Sequence, residues 1–224
     1  MTKKILLGIP TYKSVCAEGF AYQMGMLLDS VNSGLIKRLE IEANMYVTMA
    51  RNAMCRTAVD LWKKGEITHL WMVDDDVLIP PGGIAKLASR DFPVVGGVYY
   101  TKGLLPVAYN FDPFTFCQDI PASGLFTAGG TGGGCLLVDC ELLNRMAEEF
   151  GDEWWFQNNI EAAAGVNKEA YLGEDVFFFR RLHRMGVRAV LDCDIQCGHI
   201  GTAIADRKMF EIAHGLQKFT PTNI

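Results

Sequence analysis

Between residues 4 and 73 the chain alternates continuous apolar runs with longer stretches in which apolar residues recur every three or four positions. That alternation restricts the fold more than any other feature. Residues 4–9 (KILLGI) read as a buried strand closed by Pro10. Phe20, Met24, Leu27, Leu28 and Val31 then mark a helical face that stops at Asn32-Ser33-Gly34. Residues 37–43 predict a second strand. Ala50, Ala53, Met54, Thr57, Ala58 and Leu61 predict a helix ending at Lys63-Lys64-Gly65, and 68–73 (THLWMV) a third strand. A strand, helix, strand, helix, strand order implies an α/β chain with a parallel sheet of doubly wound type, whose ligands bind beyond the carboxyl ends of the strands.

The second half is less regular. Pro80-Pro81-Gly82-Gly83 opens a short helix to Arg90, and 94–100 (VVGGVYY) reads as a strand. Residues 106–127 predict short strands with turns at Asp112-Pro113 and Pro121, a mixed or antiparallel arrangement. Helices are expected over 139–150, 173–185 and 205–217, with a last strand at 188–192. No repeat or linker-like composition divides the 224 residues, so one domain over 1–224 is expected.

Composition narrows the function classes. With 50% apolar and 21% charged residues the chain can bury a sizeable core, which excludes disorder and coiled coil. Its apolar runs fall short of the roughly 18 residues a membrane span needs, so no membrane insertion is expected. The N-terminus lacks a signal-peptide core, which makes a cytoplasmic location the expectation. A net charge of −5 gives no global attraction to nucleic acid. The seven cysteines (16, 55, 117, 135, 140, 193, 197) are scattered in apolar runs, as reduced core thiols would be.

Three consecutive aspartates, Asp74, Asp75 and Asp76, end the third strand. Adjacent carboxylates repel one another, and a hard divalent cation is the natural compensation. In extended backbone Asp74 and Asp76 point to one side, so that pair would grip Mg²⁺ or Mn²⁺ and leave coordination positions for phosphate oxygens. The alternatives are a solvated acidic loop, or Asp76 capping the helix near Pro80. Glu174 and Asp175 open a later helix. The helix N-terminus there lowers a carboxylate's pKa while nearby aspartates raise it, and geometry decides between them. His199, between Gly198 and Gly201, is a third candidate metal ligand or a hydrogen-bonded structural residue. Cys193, Cys197 and His199 have ligand-like spacing but lack the fourth member of a zinc site. Gly132 and Gly133, in a run of glycines, offer bare backbone N–H groups to phosphate or sugar, or form a hairpin. Neither a dinucleotide fingerprint nor a P-loop is present. Arg51, near the start of its helix, opposes the macrodipole and calls for an anion, which a nucleotide diphosphate would supply; the alternative is an ordinary surface salt bridge.

The strings GIPTY, TMARN, WMVDDDV, VVGGVYYTKG, GGTGGGCLLV, LGEDVFFFRRLHRMG and CGHIG, in this order, resemble the small family-two-like glycosyltransferases of the GT-A fold known from bacteria and phages. The resemblance implies a Rossmann-like nucleotide-diphospho-sugar transferase fold. Residues 1–100 would form the nucleotide-sugar-binding half, and 101–224 the acceptor and catalytic half. It places the D-x-D metal site on Asp74 and Asp76, with His199 as a further ligand, and Asp75 beside the donor. Pro10 and Thr11 would line the nucleoside pocket, Arg51 would lie near base or diphosphate, and Gly132 and Gly133 would approach the donor. Asp175, or Glu174, would deprotonate the acceptor hydroxyl in an inverting displacement. The implied cofactor is Mn²⁺ or Mg²⁺ and the implied donor a nucleotide-diphosphate sugar, UDP favoured. The acceptor would be a glycan, a protein or a modified nucleobase in DNA. IEANMYVTMARN carries no counterpart of the Asp-rich turn that reads uracil in better-known members. The other readings are a nucleotidyltransferase, a nucleotide-sugar-binding module without turnover, and a metal-dependent phosphohydrolase.

Overall fold

The computed structural model describes residues 2–12, 17–111, 114–162, 169–201 and 204–215. Along the chain run β1 (Ile5–Thr11), α1 (Ala17–Asn32), β2 (Ile36–Ala43), α2 (Val47–Lys63), β3 (His69–Val73), β4 (Val77–Leu78), α3 (Gly83–Ser89) and β5 (Val94–Val98). There follow β6 (Ala108–Phe111), β7 (Phe114–Phe116), β8 (Leu125–Ala128), β9 (Gly130–Thr131), β10 (Cys135–Asp139), α4 (Cys140–Phe150), β11 (Asn159–Ala162) and β12 (Glu169–Leu172). The described chain closes with α5 (Glu174–Arg184), β13 (Ala189–Gln196), β14 (Gly198–Ile200), β15 (Ile204–Ala205) and α6 (Arg207–Ala213). Cys16, the expected Asp112-Pro113 turn and the end of the expected terminal helix lie outside the described residues.

A seven-stranded sheet in the order β2-β1-β3-β10-β5-β13-β8 forms the centre. The pairs β1/β2, β1/β3 and β5/β13 are parallel, whereas β10 runs against both its neighbours and β8 against β13. Five strands therefore share one direction, a mostly parallel sheet consistent with a Rossmann-like fold. The irregular second half supplies the two antiparallel strands and the small sheets β7-β6-β9, β15-β14-β4 and β11-β12.

Period-two alternation distributes the strand side chains between the two faces. Leu6, Leu70, Met72, Leu136 and Val138 pack against Met54 and Ala58 of α2, Leu143 and Met146 of α4, and Phe178, Phe179 and Leu182 of α5. Ile5, Leu7, Trp71, Val73, Val95 and Leu137 face the other way, toward Met26 of α1 and Ile84 and Leu87 of α3. Fully burying each such side chain contributes about 1.5 to 3 kcal/mol, so the two faces together fix the layered arrangement. Gly8 permits the close approach of α2, since a Cβ there would lie 2.6 Å from Met54 Sδ.

Three expectations change. The periodic residues of α1 do form a helix, but Met24, Leu28 and Val31 face solvent while Met26 and Ser30 are buried. β13 continues to Gln196, past the expected end at 192. Asp192 is fully buried there because Arg90 Nε donates to it at 2.8 Å. α2 starts at Val47, which places Arg51 in its second turn. The six described cysteines are free and buried, as expected of core thiols. Among the described residues no helix is long and apolar enough to cross a membrane.

Candidate active site

β3 ends at Val73, and Asp74, Asp75 and Asp76 turn the chain into β4; the Val77 N–H donates to the Asp74 carbonyl at 3.1 Å. Beside them β1 ends at Thr11, whose carbonyl accepts from Asn44 N–H at 3.2 Å. Asn44 has φ +61, a conformation asparagine tolerates, and it redirects β2 into α2. A cleft of about 190 Å³ opens there, lined by Pro10, Thr11, Tyr12, Met45, Val47 and the three aspartates. The rings of Tyr12 and Tyr46 stack near its mouth, 6.0 Å between centroids. It lies beyond the carboxyl ends of parallel strands, where the fold class favours ligand binding.

Arg51 organises the carboxylates. Its side chain is 2% exposed, and its Nη2 donates to Asp74 Oδ1 and Oδ2 at 2.8 and 3.0 Å. Nη1 donates to Glu174 at 2.8 Å and to Asp175 at 2.5 Å. Its partners are protein carboxylates, and the cluster is buried rather than the surface salt bridge that the sequence position suggests. Burial works against its charge, but the three carboxylates raise the Arg51 pKa well above the ordinary value. The guanidinium also lies over the Phe156 ring, and the neighbouring Asn52 clamps that residue's backbone with bonds of 2.7 and 3.0 Å.

The competition at Asp175 resolves upward. Burial raises its carboxyl pKa most, Arg51 opposes, and Glu174 and Asp74 add to the rise, which brings it to about 7. That is the range a general base needs near neutral pH. The Gly133 N–H donates to Asp175 Oδ1 at 3.1 Å, and the Gly134 N–H donates to the Tyr99 hydroxyl at 3.2 Å. The glycine run thus clasps the site from inside. A Cβ on Gly132 would lie 2.0 Å from the Tyr99 oxygen, and one on Gly133 2.6 Å from Arg51 Cζ.

Asp76 faces another set of partners. β14 pairs antiparallel with β4 and sets His199 opposite Val77, which brings His199 Nε2 to 3.2 Å from Asp76. His199 Nδ1 lies 2.8 Å from the Tyr100 carbonyl. Lys102 Nζ lies 3.0 Å from the same Asp76 carboxylate. Burial pushes the Asp76 pKa up, but His199 and Lys102 outweigh it and hold the group below the usual carboxylate range. His199 is raised in turn: burial lowers it, and Asp76 and the Tyr100 carbonyl more than compensate. Asp75 is raised chiefly by burial, with Asp76 and Asp74 adding to the effect against the Thr11 hydroxyl. Asp76 does not cap α3, whose N-cap Gly82 instead donates its N–H to Asp29 at 2.9 Å.

Asp74, Asp75, Asp76, Arg51, Glu174, Asp175, Gly133 and His199 therefore come together, and Pro10 and Thr11 line the adjoining cleft. Among the described residues no three His, Cys, Asp or Glu side chains form a preassembled metal cage, the Cys193, Cys197 and His199 spacing included. Sequence reading missed Tyr99, Lys102 and Asn52. The signal for Lys102 was the VYYTKG string after a strand. Its loop holds Leu104 at φ +62, which a bulky residue rarely adopts.

No protein-family model and no curated protein matches the sequence. Among solved structures, A197 from STIV is similar, with a TM-score of 0.58 over 88% of this chain and 86% of that one, at 18% identity. At that identity the likeness concerns the fold alone.

Proposed function

We propose that the chain is a glycosyltransferase that moves a sugar from a nucleotide-diphosphate donor to an acceptor hydroxyl, on a GT-A variant of its Rossmann-like fold. The observation carrying this reading is that Arg51 joins Asp74, at the end of a parallel strand, to Asp175, a carboxyl poised at about 7. One guanidinium thus links a strand end that lines the cleft to a carboxyl in the neutral range. The nucleoside would enter between Pro10, Thr11 and the Tyr12/Tyr46 pair. Thr11 Oγ1, buried on that wall beside Asp75, offers it a polar contact.

Asp175 would take the acceptor proton as the hydroxyl oxygen bonds to the anomeric carbon. The bond from that carbon to the diphosphate oxygen breaks, and the nucleoside diphosphate leaves. Glu174 shares Arg51 Nη1 with Asp175 and would hold the guanidinium in place while the base changes charge.

Asp76 and His199 would hold a divalent cation once the Lys102 ammonium is displaced, and their oxygen and nitrogen donors suit Mn²⁺ at least as well as Mg²⁺. Asp74 has both oxygens in the Arg51 fork. When bound, the cation would neutralise charge on the departing diphosphate. The acceptor would be a glycan, a protein or a modified nucleobase in DNA.

The test is a thermal-shift series with UDP, GDP, CMP and their sugars, with and without Mn²⁺, followed by an assay of donor hydrolysis. Stabilisation by one nucleotide, with slow release of its sugar that Asp175→Asn abolishes, supports the reading. Binding without turnover makes the chain a nucleotide-sugar-binding module. No shift with any nucleotide overturns both.

A further inference from the structure

The apolar stripe of α1 points away from the core. Met24, Leu28 and Val31 follow one another at helical spacing, and Leu28 and Val31 are 60% and 52% exposed. On the same side of the sheet, Leu39 and Ile41 of β2 are 44% and 55% exposed. The parallel register sets these two beside Leu7 and Ile9, whose side chains point to the face that α1 covers. Among the described residues no strand pairs with the outer edge of β2, so eight residues of backbone stand open beside two exposed aliphatic side chains. An edge of that length and character invites another strand.

Charges commonly block such an edge, but here their order makes the strand complementary to itself. Lys37 and Arg38 occupy its first half, Glu40 and Glu42 its second. Run antiparallel against an identical copy, the basic half meets the acidic half twice. Opposed residues in an antiparallel pair share a face, so only registers that match odd with odd and even with even positions join the two sheets.

We propose that the open edge of β2 and the exposed stripe of α1 form a two-fold interface between two copies of this chain. In it β2 pairs antiparallel with its counterpart, so that Arg38 faces Glu42 and Leu39 faces Ile41. The register makes two charge pairs on one face of the joined sheet and two aliphatic pairs on the other, next to the α1 stripes. Glu40 meets its equivalent at the axis, where its carboxylate already turns to Thr57 of its own α2 at 3.0 Å. Among the described residues Arg38 pairs within its own chain with exposed Glu66, and such a surface pair is readily exchanged for another. A contact that uses the same patch on both copies closes on itself and yields a dimer rather than a fibre.

Sedimentation velocity and light scattering across a micromolar concentration series test this. The expected species has twice the 24.8 kDa chain mass. Arg38→Glu should weaken association about tenfold or more by opposing like charges, and Leu28→Asp should weaken it by removing apolar contact. The double variant Arg38→Glu with Glu42→Arg should restore it to within about threefold, because the exchanged charges still face each other. Glu66→Gln should leave it unchanged, which separates the interface from the internal pair. Thermal melts establish that each variant is folded. A monomer at every concentration, a dimer indifferent to Arg38→Glu, or a double variant that stays dissociated would each overturn the proposal.

Discussion

Arg51 Nη1 and Asp175 Oδ1 stand 2.5 Å apart, yet the Asp175 carboxyl is held at about 7. Desolvation outweighs even a direct ion pair, because the like charges of Glu174 and Asp74 on the same guanidinium add to it. The arrangement trades stability for a carboxyl that titrates near neutrality.

That trade gives a signed prediction for stability. An unfolded aspartate titrates near 3.9, so between that value and about 7 the folded chain binds the extra proton. The contribution of Asp175 is fully present below about pH 4 and is lost as pH rises through 7. Asp175→Asn removes that loss. The variant should melt above the wild type at pH 8, by on the order of 2 kcal/mol or roughly 4 to 8 °C, and the gap should shrink toward pH 5. Paired thermal melts at the two pH values decide it; a gap that does not change with pH would place the neutral-range carboxyl elsewhere.

The same group sets the acidic limb of the rate profile under the proposed transfer reaction. A base must be ionised to accept a proton, so kcat/KM should fall about tenfold per pH unit below the Asp175 pKa of about 7. Asp175→Asn should lower turnover by on the order of 10²-fold or more while nucleotide affinity stays within a few-fold. Steady-state kinetics with calorimetry on the variant would separate the two effects. Near-normal turnover would remove Asp175 from the chemistry.

Gly133 contributes through what it lacks. A methyl group there would lie 2.6 Å from Arg51 Cζ and 2.8 Å from Nε, so Gly133→Ala must push the guanidinium off its carboxylates. Overpacking of this kind costs about 1 to 3 kcal/mol. Because the displaced group is Arg51, the variant should also raise the Asp175 pKa and move the acidic limb of the rate profile to higher pH. A lowered melting temperature with an unmoved pH profile would mean that Gly133 is only a packing residue.

Much of the fold was legible because burial on both faces of a parallel strand leaves continuous runs such as HLWMV, and the helices that cover them leave periodic stripes. Periodicity does not say what a stripe faces, however. The stripe of α1 reads as core from its spacing, yet Met24, Leu28 and Val31 point outward, while Asp29, between them in sequence, accepts a bond from Gly82. β13 runs past the expected end at 192 to Gln196, and there Arg90, distant in sequence, satisfies the buried Asp192. The aspartate triplet and the Glu174-Asp175 pair stand out in sequence because strings of carboxylates at element ends are conspicuous. Which residues they pair with does not, since Arg51 lies 123 residues from Glu174 and 124 from Asp175, and Lys102 reaches Asp76 through the loop that follows β5. Sheet register, which brings His199 opposite Val77, is the missing information.

Lys102 provides the sharpest test of where a cation would bind. Its Nζ lies 3.0 Å from the Asp76 oxygen that also stands 3.2 Å from His199 Nε2, so a divalent ion at Asp76 and His199 must displace the ammonium. Lys102 is more than half exposed, and an exposed ion pair is worth about 0.2 to 1 kcal/mol. Lys102→Met should therefore tighten Mn²⁺ binding by roughly two- to fivefold, whereas Asp76→Asn should abolish it. If the same lysine also steadies the departing diphosphate, the Met variant would bind metal more tightly and turn over more slowly. Titration of Mn²⁺ into wild-type, Lys102→Met and Asp76→Asn protein, read by calorimetry, distinguishes the cases. Equal affinity in all three would show that the cation does not bind at Asp76, and the strand-end aspartates would then serve mainly as the counter-charge of Arg51, Lys102 and His199.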